Sequence, residues 1–221
     1  MTTRKVPVIE RIMRANDTQA HDNRDTFDRH GIHVINVMSS PGAGKTTLLL
    51  DTIRRVRGEL RIGAIEGDLA SSVDTDKVIA GGAPAVQINT GGGCHLDANQ
   101  VAGSLGGLPL DQLDVIFIEN VGNLVCPAGF ALGEHTRLVI SSVPEGDDKP
   151  IKYPKMFANV DALVISKIDL IPYIPFDVEA YTRIVRGINP EIEVFPLSAV
   201  SGEGMDRWVD WVRGLSRGKQ D

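Results

Sequence analysis

Cysteine and long apolar segments are both scarce in this 221-residue sequence. We expect its two cysteines, Cys94 and Cys126, to be reduced thiols that are either buried or available to a metal. No apolar run approaches the ~20 residues that span a bilayer. Residues 1–24 contain neither a continuous apolar region nor a small-residue cleavage site, so they do not form a signal peptide. The sequence therefore predicts a cytoplasmic protein with no membrane partner.

Positive charge is also in deficit. The chain has 23 lysines and arginines against 29 aspartates and glutamates, which gives a net charge of −6 and a pI near 5.4. This balance argues against a broad surface for nucleic acid or anionic membrane. The length and the apolar content of 42% favour one soluble domain with a substantial core.

Apolar segments rich in β-branched residues alternate along the chain with amphipathic segments. After a first amphipathic helix over residues 7–28, this alternation predicts an α/β fold whose mostly parallel sheet carries helices on both faces. A ligand then binds beyond the carboxyl ends of the strands. The predicted strands cover residues 32–38, 61–67, 85–88, 113–120, 137–143, 162–166 and 192–197. The predicted helices among them cover residues 46–57, 72–80, 95–105, 177–187 and 204–213.

The segment VINVMSSPGAGKTTLLL (34–50) places a glycine-rich loop between the first predicted strand and a helix. Backbone N–H groups of such a P-loop point at an anion, and the helix N-terminus adds favourable partial charge. We expect Lys45 to reach the β- and γ-phosphates and the Thr46 hydroxyl to bind Mg²⁺. Ser39 stands where the usual pattern begins with glycine, and the alternative is a strand-to-helix turn without a ligand. The loop residues expected to contact a nucleotide are Gly42, Ala43, Gly44, Lys45, Thr46 and Thr47.

A lysine and an aspartate follow a later predicted strand. A carboxylate at Asp169 can accept two hydrogen bonds from guanine but would be left unpaired by adenine, and the stem of Lys167 would stack along the base. The segment from Ser166 to Asp169 resembles the NKxD element of GTPases with Ser in place of Asn, although Lys-x-Asp is also common in exposed loops. Further along, Ser198 and Ala199 resemble the last base-contacting loop of GTPases.

Acidic residues end two other predicted strands. Glu119 and Gly122 resemble the DxxG element of GTPases, in which the carboxylate would hold Mg²⁺ through water and the glycine N–H would bind the γ-phosphate. Asp68 is a second candidate carboxylate on the Mg²⁺ side. Asp74 and Asp76 fit the solvated start of a helix better than metal ligands. Such residues are unremarkable alone, so these roles depend on the P-loop.

Cys126 lies four residues beyond Gly122, and Cys94 stands beside His95 after three glycines. Both cysteines follow predicted parallel strands and should lie at the edge of the sheet where the nucleotide binds. Cys94, His95 and Cys126 can form a three-ligand site for a soft metal such as zinc or nickel, with a fourth position left open. A loop that moves when the γ-phosphate leaves would move Cys126 with it. The alternative is two inert buried cysteines and a loop histidine.

Five segments resemble, in their order, the HypB family of hydrogenase nickel-incorporation GTPases: MSSPGAGKTT, IEGDLAS, NTGGGCHLDANQV, IENVGNLVCP and SKIDL. The resemblance covers residues 30–215 and implies a SIMIBI-type P-loop GTPase that hydrolyses GTP to GDP. It implies a GTP-dependent homodimer whose interfacial metal site, with Cys94, His95 and Cys126 as ligands, binds Ni²⁺ or Zn²⁺. The implied partners are a HypA-like nickel chaperone and a [NiFe]-hydrogenase large-subunit precursor. On this interpretation residues 1–30 are an N-terminal amphipathic helix, and residues 31–221 are a GTPase domain with inserted metal-binding loops.

The chain departs from many bacterial relatives near its N-terminus. A His-rich stretch or cysteine cluster is replaced there by His21, His30 and His33 alone, which we expect to be surface or core residues. The sister family, the urease accessory GTPase UreG, spaces its ligands Cys-Pro-His, whereas Cys94 and His95 are adjacent. A UreG-like urease GTPase and a P-loop small-molecule kinase stay as alternatives. Turnover should be slow, because no water-positioning Gln or arginine finger stands out.

Overall fold

The computed structural model describes residues 8–68 and 72–217, and its centre is a sheet of seven parallel strands. The strands are β1 His33–Ser39, β2 Ile62–Asp68, β3 Ala85–Asn89, β4 Val115–Glu119, β5 Thr136–Ser142, β6 Ala162–Ser166 and β7 Glu193–Pro196. Their order across the sheet is β3-β2-β4-β1-β5-β6-β7, and each neighbouring pair is parallel. The predicted α/β fold is confirmed, with a wholly parallel sheet in the part of the chain described.

Helices connect the strands over both faces of the sheet, as parallel pairing requires. They are α1 Val8–Arg29, α2 Lys45–Arg55, α3 Val73–Ala80, α4 Ala98–Ser104, α5 Lys149–Lys152, α6 Pro154–Ala158, α7 Val178–Ile188 and α8 Met205–Arg217. None of them has the length and apolar character that a membrane crossing needs, within the residues that the structure describes.

The two faces of the sheet have separate cores. Ile35 and Val37 of β1 belong to the cluster beneath α2 and α8, whereas Val34 belongs to the cluster that contains residues of α1 and α4. Trp208 of α8 is fully buried in the first core, and its indole N–H donates to Thr52 Oγ1 of α2 at 2.9 Å. Burial on both faces explains why the strands are apolar throughout instead of alternating.

The first helix, α1, packs on the sheet and is tied to the loops at its carboxyl side. Phe27 is fully buried. Asn23 Nδ2 donates to the carbonyls of Ala98 and Leu132 at 2.8 and 2.9 Å, and Asn16 Oδ1 accepts from the Ala98 N–H at 2.9 Å. The helix predicted over 7–28 is confirmed from residue 8 onward. Residues 1–7 lie outside the described residues, and the domain boundary at residue 30 stays a prediction.

Three helices differ from the sequence-based prediction. Helices α5 and α6 are missed because each is about one turn long and carries a proline near its start, so no helical period develops. Helix α4 is shorter than the predicted 95–105, because a capping box at Asp97 starts it later. The Asp97 carboxylate accepts from the Gln100 N–H at 2.8 Å, and the Gln100 side chain accepts from the Asp97 N–H at 3.0 Å. The cap leaves Cys94 and His95 on a loop.

Candidate nucleotide and metal sites

The glycine-rich loop joins the carboxyl end of β1 to the N-terminus of α2. Gly42 and Gly44 have φ angles of +75° and +102°, where glycine is favoured, and Gly44 is the N-cap of α2. Lys45 Nζ donates to Ser39 Oγ at 3.2 Å, so the serine that replaces the usual glycine holds the P-loop lysine. The unpaired N–H groups in the first turn of α2 give this loop the character of an anion site.

The first residues of α2 contact Glu119 at the end of β4. Thr46 Oγ1 lies 3.1 and 3.2 Å from the two carboxylate oxygens of Glu119, and Lys45 Nζ lies 3.7 Å from Oε1. The Lys45 and Glu119 side chains are each 10% exposed, so solvent screens this ion pair little. Thr47 is exposed on the same turn. The structure thus brings the predicted lysine, hydroxyl and carboxylate together.

A second carboxyl group, that of Glu66, lies beside Glu119 and is missed by the sequence pattern. In the parallel register of β2 and β4 these two residues are direct partners, so both side chains project from the same face. Burial, followed by the charge of Glu119 and a hydrogen bond to it, raises the pKa of Glu66 to about 9. Burial also raises the pKa of Glu119, and Lys45 opposes that shift. In the protein alone, the pair therefore carries a proton at neutral pH.

These carboxyl groups line a cleft of about 210 Å³ at the carboxyl edge of the sheet. Asp68 lies there too, together with Asp74, which forms an ion pair with Lys77 at 2.8 Å. Two buried oxygens of the wall, Glu66 Oε1 and Thr75 Oγ1, have no hydrogen-bond partner within the described residues. Buried polar oxygens of this kind are costly unless water or a cation satisfies them, so the cleft fits a hydrated cation.

Gly122 packs directly against the P-loop. A β-carbon at Gly122 would lie 2.9 Å from the Pro41 nitrogen and 3.0 Å from its Cα. Both are backbone atoms that cannot move aside cheaply. The segment after Glu119 therefore approaches the loop more closely than any residue with a side chain would allow.

The residues predicted to bind the base lie on the other side of the P-loop. Ser166 Oγ donates to the Ala43 carbonyl at 2.6 Å, and Lys167 Nζ donates to the Gly42 carbonyl at 2.7 Å. Lys167 has a φ of +61°, and no other non-glycine residue in the described ranges has a positive φ. Asp169 follows, half-buried, in a short 3-10 turn. The serine that replaces the usual asparagine thus braces the P-loop from β6.

The loop after β7 is attached to this region. The Ile168 N–H donates to the Leu197 carbonyl at 3.4 Å. Ser198 is 1% exposed, and its Oγ accepts from the Ser201 N–H at 3.1 Å, while Ala199 is half-buried. Both predicted base-binding segments are therefore adjacent at the carboxyl edge of the sheet.

The predicted metal ligands Cys94, His95 and Cys126 also come together at this edge. Their ligand atoms all lie within 4.8 Å of one another, and Cys94 Sγ is 3.4 Å from His95 Nδ1. Cys94 is exposed, whereas the other two side chains are half-buried. Two sulfurs and an imidazole nitrogen at this separation can close around one soft metal ion.

The protonation of the cluster is compatible with metal binding. A hydrogen bond to Cys126, together with burial, raises the pKa of the Cys94 thiol, so a metal must displace a proton there. Burial lowers the pKa of His95, which leaves the imidazole neutral and able to donate a lone pair at pH 7. The ring of Phe130 packs against His95 at a tilt of 33°, with ring centroids 4.0 Å apart. Phe130 is missed by sequence reasoning because only the fold brings it to the cluster.

The N-terminal histidines are engaged elsewhere. His21 is exposed on α1, and His30 Nδ1 lies 2.8 Å from an Asp111 carboxylate oxygen. His33 Nε2 lies 2.8 Å from Thr136 Oγ1. These positions agree with the expectation that these histidines are surface or core residues.

Known proteins are similar to this chain in sequence and in fold. The family model described as CobW/HypB/UreG, nucleotide-binding domain, matches residues 33–196. The hydrogenase maturation factor HypB of Escherichia coli (strain K12) is 48% identical over 201 residues, which cover 91% of this chain and 69% of that protein. The hydrogenase/urease maturation factor HypB of Helicobacter pylori is 37% identical over 216 residues, covering 96% of this chain and 88% of that protein.

A solved structure of a HypB protein is also similar to this chain. The crystal structure of HypB from Helicobacter pylori in complex with nickel has a TM-score of 0.88 at 36% identity, covering 92% of this chain and 96% of that one. The chain therefore belongs to the CobW/HypB/UreG family of nucleotide-binding proteins and, within that family, to the HypB hydrogenase maturation factors.

Proposed function

We propose that this chain is a GTP-hydrolysing nickel metallochaperone that assists nickel insertion into a [NiFe]-hydrogenase. The observation that carries this proposal is that the two sites share one segment. Glu119 and Gly122 lie in the phosphate-side cleft, and the same loop continues to Cys126 in the metal cluster. The nickel complex of the Helicobacter pylori relative supports nickel as the cargo.

In the part of the nucleotide site that contacts the phosphates, the residues of the P-loop bind and orient the triphosphate. The backbone N–H groups of residues 42–47 donate to the phosphate oxygens, and Lys45 neutralises charge on the β- and γ-phosphates. The Gly122 N–H donates to the γ-phosphate, which its contact with the loop favours. Turnover is slow, because no glutamine or arginine lines the cleft in the described part of the chain.

Magnesium fits the carboxylate side of the cleft. When bound, Mg²⁺ would neutralise charge between the β- and γ-phosphates. Thr46 Oγ1 would contribute an oxygen, while Glu119 and Asp68 would hold water molecules. Glu66 joins this set, since its unpaired buried oxygen suits a water in the cation's shell.

Guanine recognition is assigned to Asp169, with Lys167 stacked on the base and with Ser198 and Ala199 closing the pocket. The variant Asp169→Asn should shift nucleotide preference from guanine to xanthine, because the amide presents a donor where the carboxylate presents an acceptor. Competition binding with GTP, XTP and ATP measures this preference. Asp210→Asn, on the exposed surface of α8, is the matched control and should bind like wild type. An unchanged preference in Asp169→Asn would remove the assignment.

Cys94, His95 and Cys126 are the proposed ligands of Ni²⁺ or Zn²⁺. Three ligands leave one position open, which water, a partner or a second subunit fills. We infer a GTP-dependent homodimer in the cytoplasm that works with a HypA-like nickel chaperone and a hydrogenase large-subunit precursor, without nucleic acid or membrane. Metal analysis of the purified chain with and without a non-hydrolysable GTP analogue, together with its mass in solution, tests the proposal. If the chain bound no nickel both with and without the analogue, the proposed nickel function would be rejected.

A urease client is a second candidate, because the Helicobacter pylori relative is named a hydrogenase/urease maturation factor. Co-purification with hydrogenase or urease precursors separates the two clients. A small-molecule kinase is the weaker alternative, and a clear preference for ATP over GTP would favour it.

A further inference from the structure

The side chain of Asn120 links the two sites through hydrogen bonds. Asn120 follows Glu119 directly and is 1% exposed. Its Oδ1 accepts from the Leu96 N–H at 3.1 Å and from the Val121 N–H at 3.0 Å. One amide oxygen therefore holds both the residue after His95 and the segment that leads from the cleft to the cluster.

Asn120 is itself fixed on the sheet. Its backbone N–H donates to the Val37 carbonyl at 3.0 Å, and its Nδ2 donates to Asn36 Oδ1 at 3.3 Å. Asn36 donates in turn to Glu134 Oε1 at 3.3 Å, and all three side chains are buried. A buried amide with both ends engaged is held in one orientation. The oxygen is thus kept pointing at the Leu96 N–H.

Leu96 also touches the second strand of the cleft. Its side chain is fully buried over Gly67, where an added β-carbon would lie 2.7 Å from Leu96 Cδ1. Gly67 separates the cleft residues Glu66 and Asp68 in β2. The residue that follows His95 is therefore in contact with Gly67 of β2 and with Asn120, the residue directly after β4.

We propose that Asn120 is the positioning residue that makes nucleotide binding and metal binding depend on each other. The inference rests on the proposed function above. When Val121 and Gly122 shift with the γ-phosphate contact, the Val121 N–H changes its hydrogen bond to Asn120 Oδ1, the oxygen that also accepts from the Leu96 N–H, and this repositions His95, while Cys126 moves through the chain itself. Both halves of the cluster then respond to one displacement.

The test measures the Ni²⁺ affinity of the full chain by competition with a chromophoric chelator, once with GDP and once with a non-hydrolysable GTP analogue. The ratio of the two affinities should be about 5- to 150-fold in wild type. In Asn120→Ala it should fall to about 2-fold or less. Asn189→Ala is the matched control, because it removes an amide that donates to the Phe157 and Val160 carbonyls and takes no part in either site, and it should keep the ratio. By linkage, Ni²⁺ must change nucleotide affinity by the same factor in each protein.

The outcomes separate this inference from the proposed function. If Asn120→Ala keeps the full wild-type ratio of Ni²⁺ affinities, only the role of Asn120 is overturned. If the ratio is close to 1 in wild type, the nucleotide-coupled metal site is overturned as well. If Asn120→Ala does not fold, amide hydrogen exchange in the wild-type protein tests the role of Asn120 instead. Exchange at the Leu96 N–H should then differ several-fold between the GDP and analogue states, and equal exchange contradicts the proposal.

Discussion

The cleft beside the P-loop and the cluster of Cys94, His95 and Cys126 share one edge of the sheet but are built in different ways. The cleft carboxyl groups of Glu66 and Glu119 are buried and stand in register on neighbouring strands. The cluster residues stand on two loops, and Cys94 is exposed. Strand register fixes positions strongly, whereas a loop is fixed by the few hydrogen bonds that hold it. The carboxyl groups of Glu66 and Glu119 are therefore the rigid part of this edge, and the loops that follow the strands are the part that can move.

The largest effect should come from removing a sulfur ligand. Cys94→Ser or Cys126→Ser should weaken Ni²⁺ binding by on the order of 100-fold or more, because a neutral hydroxyl replaces a thiolate. GTP affinity should stay within about 2-fold, since neither sulfur lies in the cleft. Equilibrium dialysis measures both, with His21→Ala on the exposed face of α1 as the control. Unchanged stoichiometry and affinity in both variants would show that the cluster is not the metal site.

The next effect should come from the contact between Gly122 and the P-loop. Gly122→Ala places a β-carbon against the Pro41 backbone, so the segment must withdraw and its N–H must leave the γ-phosphate. GTP hydrolysis should slow by on the order of 10²-fold, as when other single backbone donors are lost. Gly129→Ala is the matched control, because a β-carbon there meets nothing within 4 Å. Equal single-turnover rates in the two variants would refute the assigned contact.

A smaller effect concerns the pH dependence of stability without nucleotide or metal. The pKa of Glu66 is raised to about 9 by burial and by Glu119, so the folded state binds more protons than the unfolded state between the ordinary glutamate range and pH 9. Stability should therefore fall as pH rises through this window, by up to ~1.4 kcal/mol per pH unit for one group. Glu66→Gln should remove that slope. Urea unfolding of both proteins at several pH values gives the difference, and parallel profiles would contradict the buried pair.

The smallest effect should come from the aromatic ring beside the cluster. Phe130→Leu removes the ring contact with His95 and should weaken Ni²⁺ binding by about 2- to 10-fold, the range of one aromatic pair. Phe176→Leu, which loses a ring contact to Tyr181 instead, serves as the control. An equal change in both variants would mean that Phe130 acts only through general stability.

Local sequence patterns predict one part of the fold and site, and tertiary contacts determine the rest. Alternating strands and helices, the P-loop and the three soft ligands all follow from local pattern, and the structure brings the predicted residues together. The role of Glu66 could not be predicted, because it depends on the strand register that pairs Glu66 with Glu119, and no local pattern contains that register. The role of Asn120 could not be predicted either, because its hydrogen-bond partner Leu96 is distant in the sequence. Side chains that act through tertiary contacts have no local signal.

Nickel-edge X-ray absorption of the chain loaded with Ni²⁺, first with GDP and then with a non-hydrolysable GTP analogue, tests the coupling of the two sites most directly. If the sites are coupled, the number of sulfur ligands or their distances from nickel should differ between the two nucleotide states. Superimposable spectra with full nickel occupancy in both states would contradict the coupling.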